Sequence, residues 1–228
     1  MSLSPSLLLQ LGDSALPTGA FAYSNGLEAL ARAGAFATPE SLEAHLGALL
    51  SQTAGFDLAF VVAAWTADGN PDDSLKRLNR EWDAGHWNTG IRTASLRQAR
   101  AFVELVASLH PRPGLEALRA RCGETSADSL HYAIAFGRAL ALLGADAAET
   151  CRLYLHGVAR DQAAAAVRLG LVGPRLAQGM QARTAQGAMD ALGDASRVPG
   201  PDDARRTAPA VETGQAIHGF LYSRLFQN

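Results

Sequence analysis

Apolar residues recur along most of this chain at the three- and four-residue intervals of a helix face. The clearest stripes are Leu42, Leu46, Leu49 and Leu50; Leu58, Val61, Val62 and Trp65; Leu75, Leu78 and Trp82; and Phe102, Val103, Val106 and Leu109. A helix with such a stripe buries it against neighbouring elements. No segment shows the strict alternation of a strand. The pattern therefore predicts a single all-α, bundle-like domain.

Local signals place the ends of several predicted helices. Thr38 followed by Pro39 is a good N-cap with proline at the first helical position. Pro111 and Pro113 stop the helix that precedes them. The spacing predicts further helices over 129–143 and 147–171, and Gly173 with Pro174 separates the latter from a last Ala-rich helix that ends near residue 192.

Two segments do not follow the helical pattern. Residues 12–26 carry glycines, a proline and aromatic residues, which favours an ordered loop. Residues 193–209 read GDASRVPGPDDARRTAP, with almost no apolar residue to bury. Such a segment cannot offset its ordering entropy by burial, so we predict a mobile tether. The chain then divides into a helical domain over 1–192, a tether over 193–209 and a C-terminal docking tail over 210–228.

Composition agrees with helix and narrows the class of protein. Among 228 residues there are 45 Ala and 32 Leu against nine Val and three Ile, and β-branched residues are the poorer helix formers. A formal charge of −2 gives no electrostatic footprint for nucleic acid or an anionic membrane. We find neither a run of 18 apolar residues nor a signal peptide, and two isolated cysteines are typical of a reducing compartment. We expect a cytoplasmic protein.

Motifs for catalysis and cofactor binding are not found. The one lysine, Lys76, has no glycines upstream in the register of a phosphate-binding loop. The six histidines are each more than 20 residues apart, so no helix face pairs two of them as metal ligands. Cys122 lies near Arg119 and Arg121, which lower a thiol pKa when they are close. A buried, inert thiol is the commoner fate of a free cysteine, and we expect no cofactor and no enzymatic activity.

The C-terminal residues are unusually rich in large apolar side chains. Ile217, Leu221, Arg224 and Leu225 fall at helical spacing, and Phe220, Tyr222 and Phe226 add aromatic rings. Terminal segments usually fray unless they dock. This tail either packs on its own domain or folds on a partner, with aromatic and Arg side chains of the type enriched in binding hot spots.

Both ends of the chain resemble the UreF family of urease accessory proteins. Residues 9–28, LQLGDSALPTGAFAYSNGLE, are similar to the N-terminal signature of that family, and residues 222–226, YSRLF, to its closing motif. Residues 135–137 (AFG) and 165–170 (AAVRLG) with Gly173 resemble inner landmarks in the family's order. The chain departs from the family at Ser95 and Gly219, where the family usually has carboxylates.

The resemblance implies an all-helical, non-enzymatic scaffold that tends to form homodimers. Proteins of this family bridge UreD (also called UreH) and the GTPase UreG, and the complex inserts nickel into apo-urease. The tail becomes ordered when UreD docks. Arg224 matches an Arg that helps to shape the surface recruiting UreG, and Phe21 lies beside it in the family.

The resemblance also implies a set of partner-binding residues at the two ends of the chain. They are Phe21, Tyr23, Ser24, Glu28, His218, Tyr222, Ser223, Arg224, Leu225 and Phe226. Three of them fit a purely structural role equally well. Phe21 and Tyr23 are consistent with core positions, and Glu28 with a carboxylate favoured at a helix start. For Arg224 we expect a specific carboxylate or backbone partner, because a buried Arg without one is costly.

Two other functions fit the same residues. One is an all-α small-molecule enzyme in which Cys122 or Cys151 is the nucleophile. The other is a metallochaperone that holds nickel itself through scattered histidines, against which the lack of paired ligands already argues.

Overall fold

The structure, a computed structural model, describes residues 3–67, 71–123, 129–193 and 195–227, and within them it is helical without a strand. The all-α prediction is confirmed. In chain order the helices are α1 Pro5–Gly12, α2 Leu27–Arg32, α3 Pro39–Gly55, α4 Asp57–Trp65, α5 Pro71–Ala84, α6 Thr89–Leu109, α7 Pro113–Gly123, α8 Tyr132–Leu143, α9 Ala147–Arg168, α10 Pro174–Leu192 and α11 Pro209–His218. Short 3₁₀ turns cover Ala20–Ala22, Ala195–Arg197 and Pro201–Asp203.

The centre of the bundle is the close crossing of α4 and α8. Gly137 on α8 meets the backbone of Val61 on α4, and a Cβ at this glycine would lie 2.1 Å from the Val61 carbonyl oxygen. Only a residue without a side chain lets the two helices approach this closely. Around the crossing, Phe60, Phe102 and Ile134 are almost completely buried.

Most predicted helix ends are confirmed, and the local signals explain them. Thr38 forms a capping box with Ser41, and Pro39 and Pro174 occupy the first positions of their helices. The predicted helix over 147–171 ends earlier, at Arg168, because the Leu171 amide turns back to the Ala166 carbonyl at 3.0 Å.

Leu109 corrects one predicted core position. Phe102, Val103 and Val106 are buried as their stripe predicts, but Leu109 is 47% exposed. It is the last residue of α6, and the chain leaves helical geometry at His110. The hydrophobic stripe therefore runs one turn beyond the part of α6 that neighbouring helices bury.

Residues 39–65 are long and apolar enough for a membrane span when judged by length and composition alone. In the fold they are two helices, α3 and α4, separated at Phe56, and 56% of their most apolar window is buried inside the protein. Leu42, Leu50 and Leu58 are nearly inaccessible to solvent. The apolar character of this stretch is accounted for by its place in the core.

The residues predicted to form a tether touch the helical body at several points. Val198 and Ala204 pack against the main core, and the Arg205 amide donates to the Gly55 carbonyl at 3.1 Å. The Ala208 amide donates to Gln52 Oε1 at 2.8 Å. These contacts bring α11 back onto α2 and α3. The mobility of the segment stays a prediction.

Two helical glycines give opposite stability predictions. Gly137→Ala forces a Cβ into the Val61 backbone, and we expect it to lower the free energy of unfolding by about 3 kcal/mol, the upper range for overpacking. Gly47→Ala in α3 places its Cβ where nothing lies within 4 Å. It should raise the free energy of unfolding by about 0.5–1 kcal/mol, because glycine is a poor helix former. Urea denaturation of both variants checks the pair, and equal effects would contradict the packing assigned to Gly137.

Candidate functional site at the two chain ends

A single buried carboxylate joins the N-terminal motif to the C-terminal tail. Glu28, in the first turn of α2, is fully buried. Its Oε1 accepts the Leu225 amide at 2.8 Å, and its Oε2 accepts the Phe226 amide at 3.1 Å and His218 Nε2 at 3.1 Å. A carboxylate only accepts hydrogen bonds, so His218 donates here through Nε2. The three contacts, which we call the Glu28 clasp, hold the tail on α2.

The clasp favours the ionised carboxylate. Burial by itself raises the pKa of Glu28. Hydrogen bonds from the Leu225 and Phe226 amides, from His218 and from Arg32 together lower this pKa by a larger amount, so it lies below its usual value of 4.5. Arg32 also forms an ion pair with Glu28 at 3.2 Å. A charge removed from water is tolerated when it is paired and hydrogen-bonded in this way.

Glycine at position 26 lets α11 lie directly on the start of α2. Its φ of +86° is in the left-handed region, and a Cβ there would lie 2.4 Å from the amide nitrogen of Gln215. Both features demand glycine. The approach brings His218, at the end of α11, within reach of Glu28.

A second set of contacts fixes the tail to the loop before α2. The Gln227 amide donates to the Ala22 carbonyl at 2.8 Å. The guanidinium of Arg168, on α9, donates to the Phe21 carbonyl and lies 4.4 Å from the centre of the Phe226 ring. Phe226 is buried beneath this cation, at 3% exposure. In the sequence Arg168 belongs to an inner landmark motif, and no local signal there indicated a part in this site.

The predicted site residues separate into a buried layer and an exposed layer. Tyr23, Ser24, Glu28, His218 and Phe226 are buried, whereas Phe21, Tyr222, Ser223, Arg224 and Leu225 are exposed. The structure therefore brings the two chain ends together as one assembly. Of these residues, only those in the exposed layer are accessible to another protein.

The exposed layer is strongly apolar. Phe220 is 90% exposed, Tyr222 is fully exposed, and Phe21 and Leu225 are 67% and 51% exposed. We call these four residues the aromatic face. Phe220 was noted in the sequence as part of the tail but not as a site residue, and its adjacency to the closing motif was the only signal for it.

The tail leaves helical geometry after α11, which ends at His218. The helix predicted from the spacing of Ile217, Leu221, Arg224 and Leu225 is therefore wrong beyond His218. The amides of Phe220 and Leu221 bond three residues back, to Ile217 and His218, and those of Leu225 and the following residue go to Glu28. Arg224 donates to the Gly219 carbonyl at 3.1 Å. Of the carboxylate and backbone partners expected for Arg224, the structure shows a backbone carbonyl, but the side chain is exposed and not buried as that expectation assumed.

A polar cavity of about 130 Å³ lies inside the bundle next to this site. Asp57 and Asp161 line it, and burial raises the pKa of both carboxyl groups. Across the part of the chain that the structure describes, no group of three His, Cys, Asp or Glu side chains is arranged to hold a metal ion.

Arg206 lines both this cavity and a groove at the surface, a role that the sequence did not predict. Its guanidinium pairs with Glu212, contacts His86 Nε2 and lies over the Phe56 ring at 5.2 Å. Burial, with Arg206 beside it, lowers the pKa of His86 to about 3, so the ring is neutral and accepts from Arg206. Nothing in the polar sequence around residue 206 indicated such an anchor.

Both cysteines are buried and their thiols are protonated. Cys122 and Cys151 are 5% and 2% exposed. Burial raises the pKa of Cys122 to about 12, despite Arg121 nearby, and that of Cys151 to about 11. The thiolate is the nucleophile, so neither residue is activated as the enzyme hypothesis requires.

Comparison with known proteins decides the family. Residues 36–185 match the family model of UreF. The chain is 36% identical to urease accessory protein F of Arabidopsis thaliana over 220 residues, covering 95% of this chain and 90% of that protein. It belongs to the UreF family.

Further relatives support the assignment. The chain is 33% identical to urease accessory protein F of Oryza sativa subsp. japonica, covering 95% of this chain and 82% of that protein. It is 31% identical to urease accessory protein UreF of Rhodopseudomonas palustris (strain BisB5), covering 94% and 87%. The UreF family is one of accessory proteins and not of catalytic enzymes.

Glu28→Gln tests the clasp. The amide group of Gln cannot accept all the hydrogen bonds that the carboxylate accepts, and each buried N–H without an acceptor costs about 1–3 kcal/mol. We expect faster hydrogen exchange and proteolysis over 219–227 with the helical core unchanged. Glu40→Gln, an exposed first-turn glutamate of α3, is the matched control and should leave the tail protected.

The clasp also predicts an acid dependence. Because the pKa of Glu28 is lowered in the folded state, its contribution is present above the usual value of 4.5 and is lost as pH falls through the folded-state pKa. Tail protection in the wild type should therefore decline below pH 4.5. A decline of equal size in Glu28→Gln would show that another group is responsible.

Thiol reactivity tests the enzyme hypothesis directly. In the folded protein, iodoacetamide at pH 7 should modify Cys122 and Cys151 at least a hundredfold more slowly than in the unfolded chain, because burial keeps them inaccessible and protonated. Mass spectrometry of timed samples measures both rates. A cysteine that reacts rapidly in the folded protein would revive the nucleophile hypothesis.

Proposed function

We propose that this chain is a non-enzymatic cytoplasmic scaffold of urease maturation, acting with UreD (UreH) and UreG in the insertion of nickel into apo-urease. The relatives named above are urease accessory proteins, and accessory action requires contact with other proteins of the assembly. Nickel is the cargo of that assembly and not a cofactor of this chain. A homodimer of the chain is part of the proposal.

The observation that carries the proposal is a set of exposed apolar side chains on a tail whose backbone is held by buried hydrogen bonds. Phe220 and Tyr222 are almost fully exposed to water, although burying such a ring in a core or interface is favourable by about 1.5–3 kcal/mol. Phe220 and Tyr222 are two residues apart in the chain, and a large exposed apolar patch marks an interaction site. Aromatic and Arg side chains are also those that contribute most to interfaces.

The base beneath the face is preorganised. Glu28 fixes the backbone at residues 225 and 226, and Arg168 fixes Phe21 against the tail. Ordering the tail in advance removes part of the entropy cost that a partner would otherwise bear. In this proposal the aromatic face meets UreD, and Arg224 with Phe21 helps to form the surface that recruits UreG.

Paired exposed-residue variants test the proposal without disturbing the fold. We expect the double variant Phe220→Ala/Tyr222→Ala to weaken co-purification with UreD, and through it with UreG, by at least tenfold, because hot-spot truncations cost more than 1 kcal/mol each. The double variant Leu109→Ala/Leu176→Ala removes exposed apolar side chains elsewhere on the chain and is the matched control. It should bind as the wild type does.

The outcomes separate the parts of the proposal. If the wild type forms no complex with UreD or UreG, the scaffold function is wrong. If both double variants bind equally well, the scaffold stands but the aromatic face does not carry it. The rate of GTP hydrolysis by UreG with and without the bound chain shows whether the scaffold also modulates that activity, as we propose.

A further inference from the structure

A further exposed aromatic residue, Trp87, lies against the C-terminal helix α11. Trp87, in the link between α5 and α6, is 63% exposed. It borders an open groove of about 540 Å³ whose other wall is formed by Pro209, Thr213 and Ala216 of α11. An exposed tryptophan beside an apolar groove has no role in the core of this bundle.

The ring of Trp87 is held in place. Its Nε1–H donates to Glu212 Oε2 at 3.2 Å. Glu212 Oε1 in turn accepts from Gln52 Nε2 at 2.9 Å and from Arg206 Nε at 2.9 Å. A tryptophan fixed by such a network presents its face to solvent with little conformational entropy left to lose on binding.

The side of α11 that lines the groove leads towards Phe220 of the aromatic face. Pro209, Thr213, Ala216 and Phe220 are spaced i, i+4, i+7 and i+11, which places them along one side of a helix, and the Phe220 amide bonds to the Ile217 carbonyl, so the turn extends to that residue. From Thr213 to Phe220 the rise is about 10 Å, at 1.5 Å per residue. Trp87 and Phe220 thus lie at the two ends of one mainly apolar strip along α11, formed by Pro209, Thr213, Ala216 and Phe220.

A stable interface needs more surface than the aromatic face supplies. A standard interface buries about 800 Å² on each partner. The three aromatic side chains of the aromatic face, at about 150 Å² each when fully buried, supply roughly 450 Å², and a third of Phe21 is already covered. A partner seated on the tail must therefore cover neighbouring surface, and the apolar strip along α11 is continuous with the tail.

We propose that the partner-binding surface extends from the aromatic face along α11 to Trp87. Trp87 is then a binding residue for the same protein partner that binds the tail. The inference rests on the proposed function and adds to it a binding residue far from both terminal motifs. The sequence motifs of the family resemblance do not include Trp87.

The chemistry of the strip defines the partner segment that fits it. Arg206 and Glu212 neutralise each other and are only 14% and 17% exposed. The strip therefore offers apolar contact without an unpaired charge, and a charged side chain placed there would lose its hydration without compensation. The occupant is an uncharged, apolar segment of the partner protein, packed against the Trp87 ring.

Fluorescence quenching measures the inference directly, with UreD as the probe. The three tryptophans of the chain differ in exposure: Trp82 is 3% exposed, Trp65 is half-buried and Trp87 is open to solvent. Acrylamide quenching of the wild type minus that of Trp87→Phe isolates Trp87. We expect saturating UreD to reduce the quenching constant of Trp87 at least threefold, with tryptophans of UreD subtracted from a UreD-only titration.

Affinity provides the second readout. Trp87→Ala should weaken binding of UreD at least tenfold, as expected for truncation of an interface tryptophan. Leu9→Ala, which removes an exposed apolar side chain from α1, is the matched control and should bind as the wild type does. Circular dichroism of both variants should match that of the wild type, since neither side chain is buried.

Each remaining outcome counts against the inference or against the proposal beneath it. If wild-type chain binds UreD while Trp87 stays fully quenchable and Trp87→Ala binds normally, the extended surface is wrong and the scaffold function stands. If Trp87 becomes protected in the chain alone as its concentration rises, the occupant is a second copy and the inference is wrong. If the wild type does not bind UreD, the proposed function itself fails.

Discussion

The tail architecture depends on one buried carboxylate. Glu28 accepts two backbone amides and a histidine from residues about 190 to 198 positions away. A buried carboxylate is stable only when its oxygens are satisfied, so the tail and Glu28 require each other. The amide hydrogens of Leu225 and Phe226 are accordingly engaged by Glu28 and not by helical carbonyls.

The helical bundle supplies the rigid support for this contact. The α4–α8 crossing at Gly137 fixes the core, and Gly26 lets α11 lie on α2 at backbone distance. Arg206 anchors the segment that leads into α11 by pairing with Glu212. Together these contacts hold both ends of α11. The backbone that carries the neighbouring exposed apolar side chains is thereby held in place, as the proposed scaffold function requires for binding without prior folding.

The residues of the terminal motifs fall into a buried group and an exposed group, and the two groups play different physical roles. Residues such as Tyr23, Ser24 and His218 are inaccessible and can influence a partner only by shaping the backbone. Phe220 and Tyr222 are among the exposed side chains that a partner can touch. A motif defined by sequence alone contains both groups, because the position in the chain does not show which side chains are buried. Variants of the buried group are therefore expected to act through tail order, whereas variants of the exposed group act on affinity.

The helical class, most helix ends and the family resemblance could all be predicted from the chain alone. They depend on signals local to a few residues: the spacing of apolar positions, the Thr38 cap and the prolines that begin helices. The roles of Glu28 as a clasp, of Arg206 as an anchor and of Trp87 beside the tail emerged only from the packed fold. Those roles rest on contacts between positions 120 to 198 residues apart. Spacing along the chain carries no information about which distant amide or carboxylate will meet a given side chain once the helices pack.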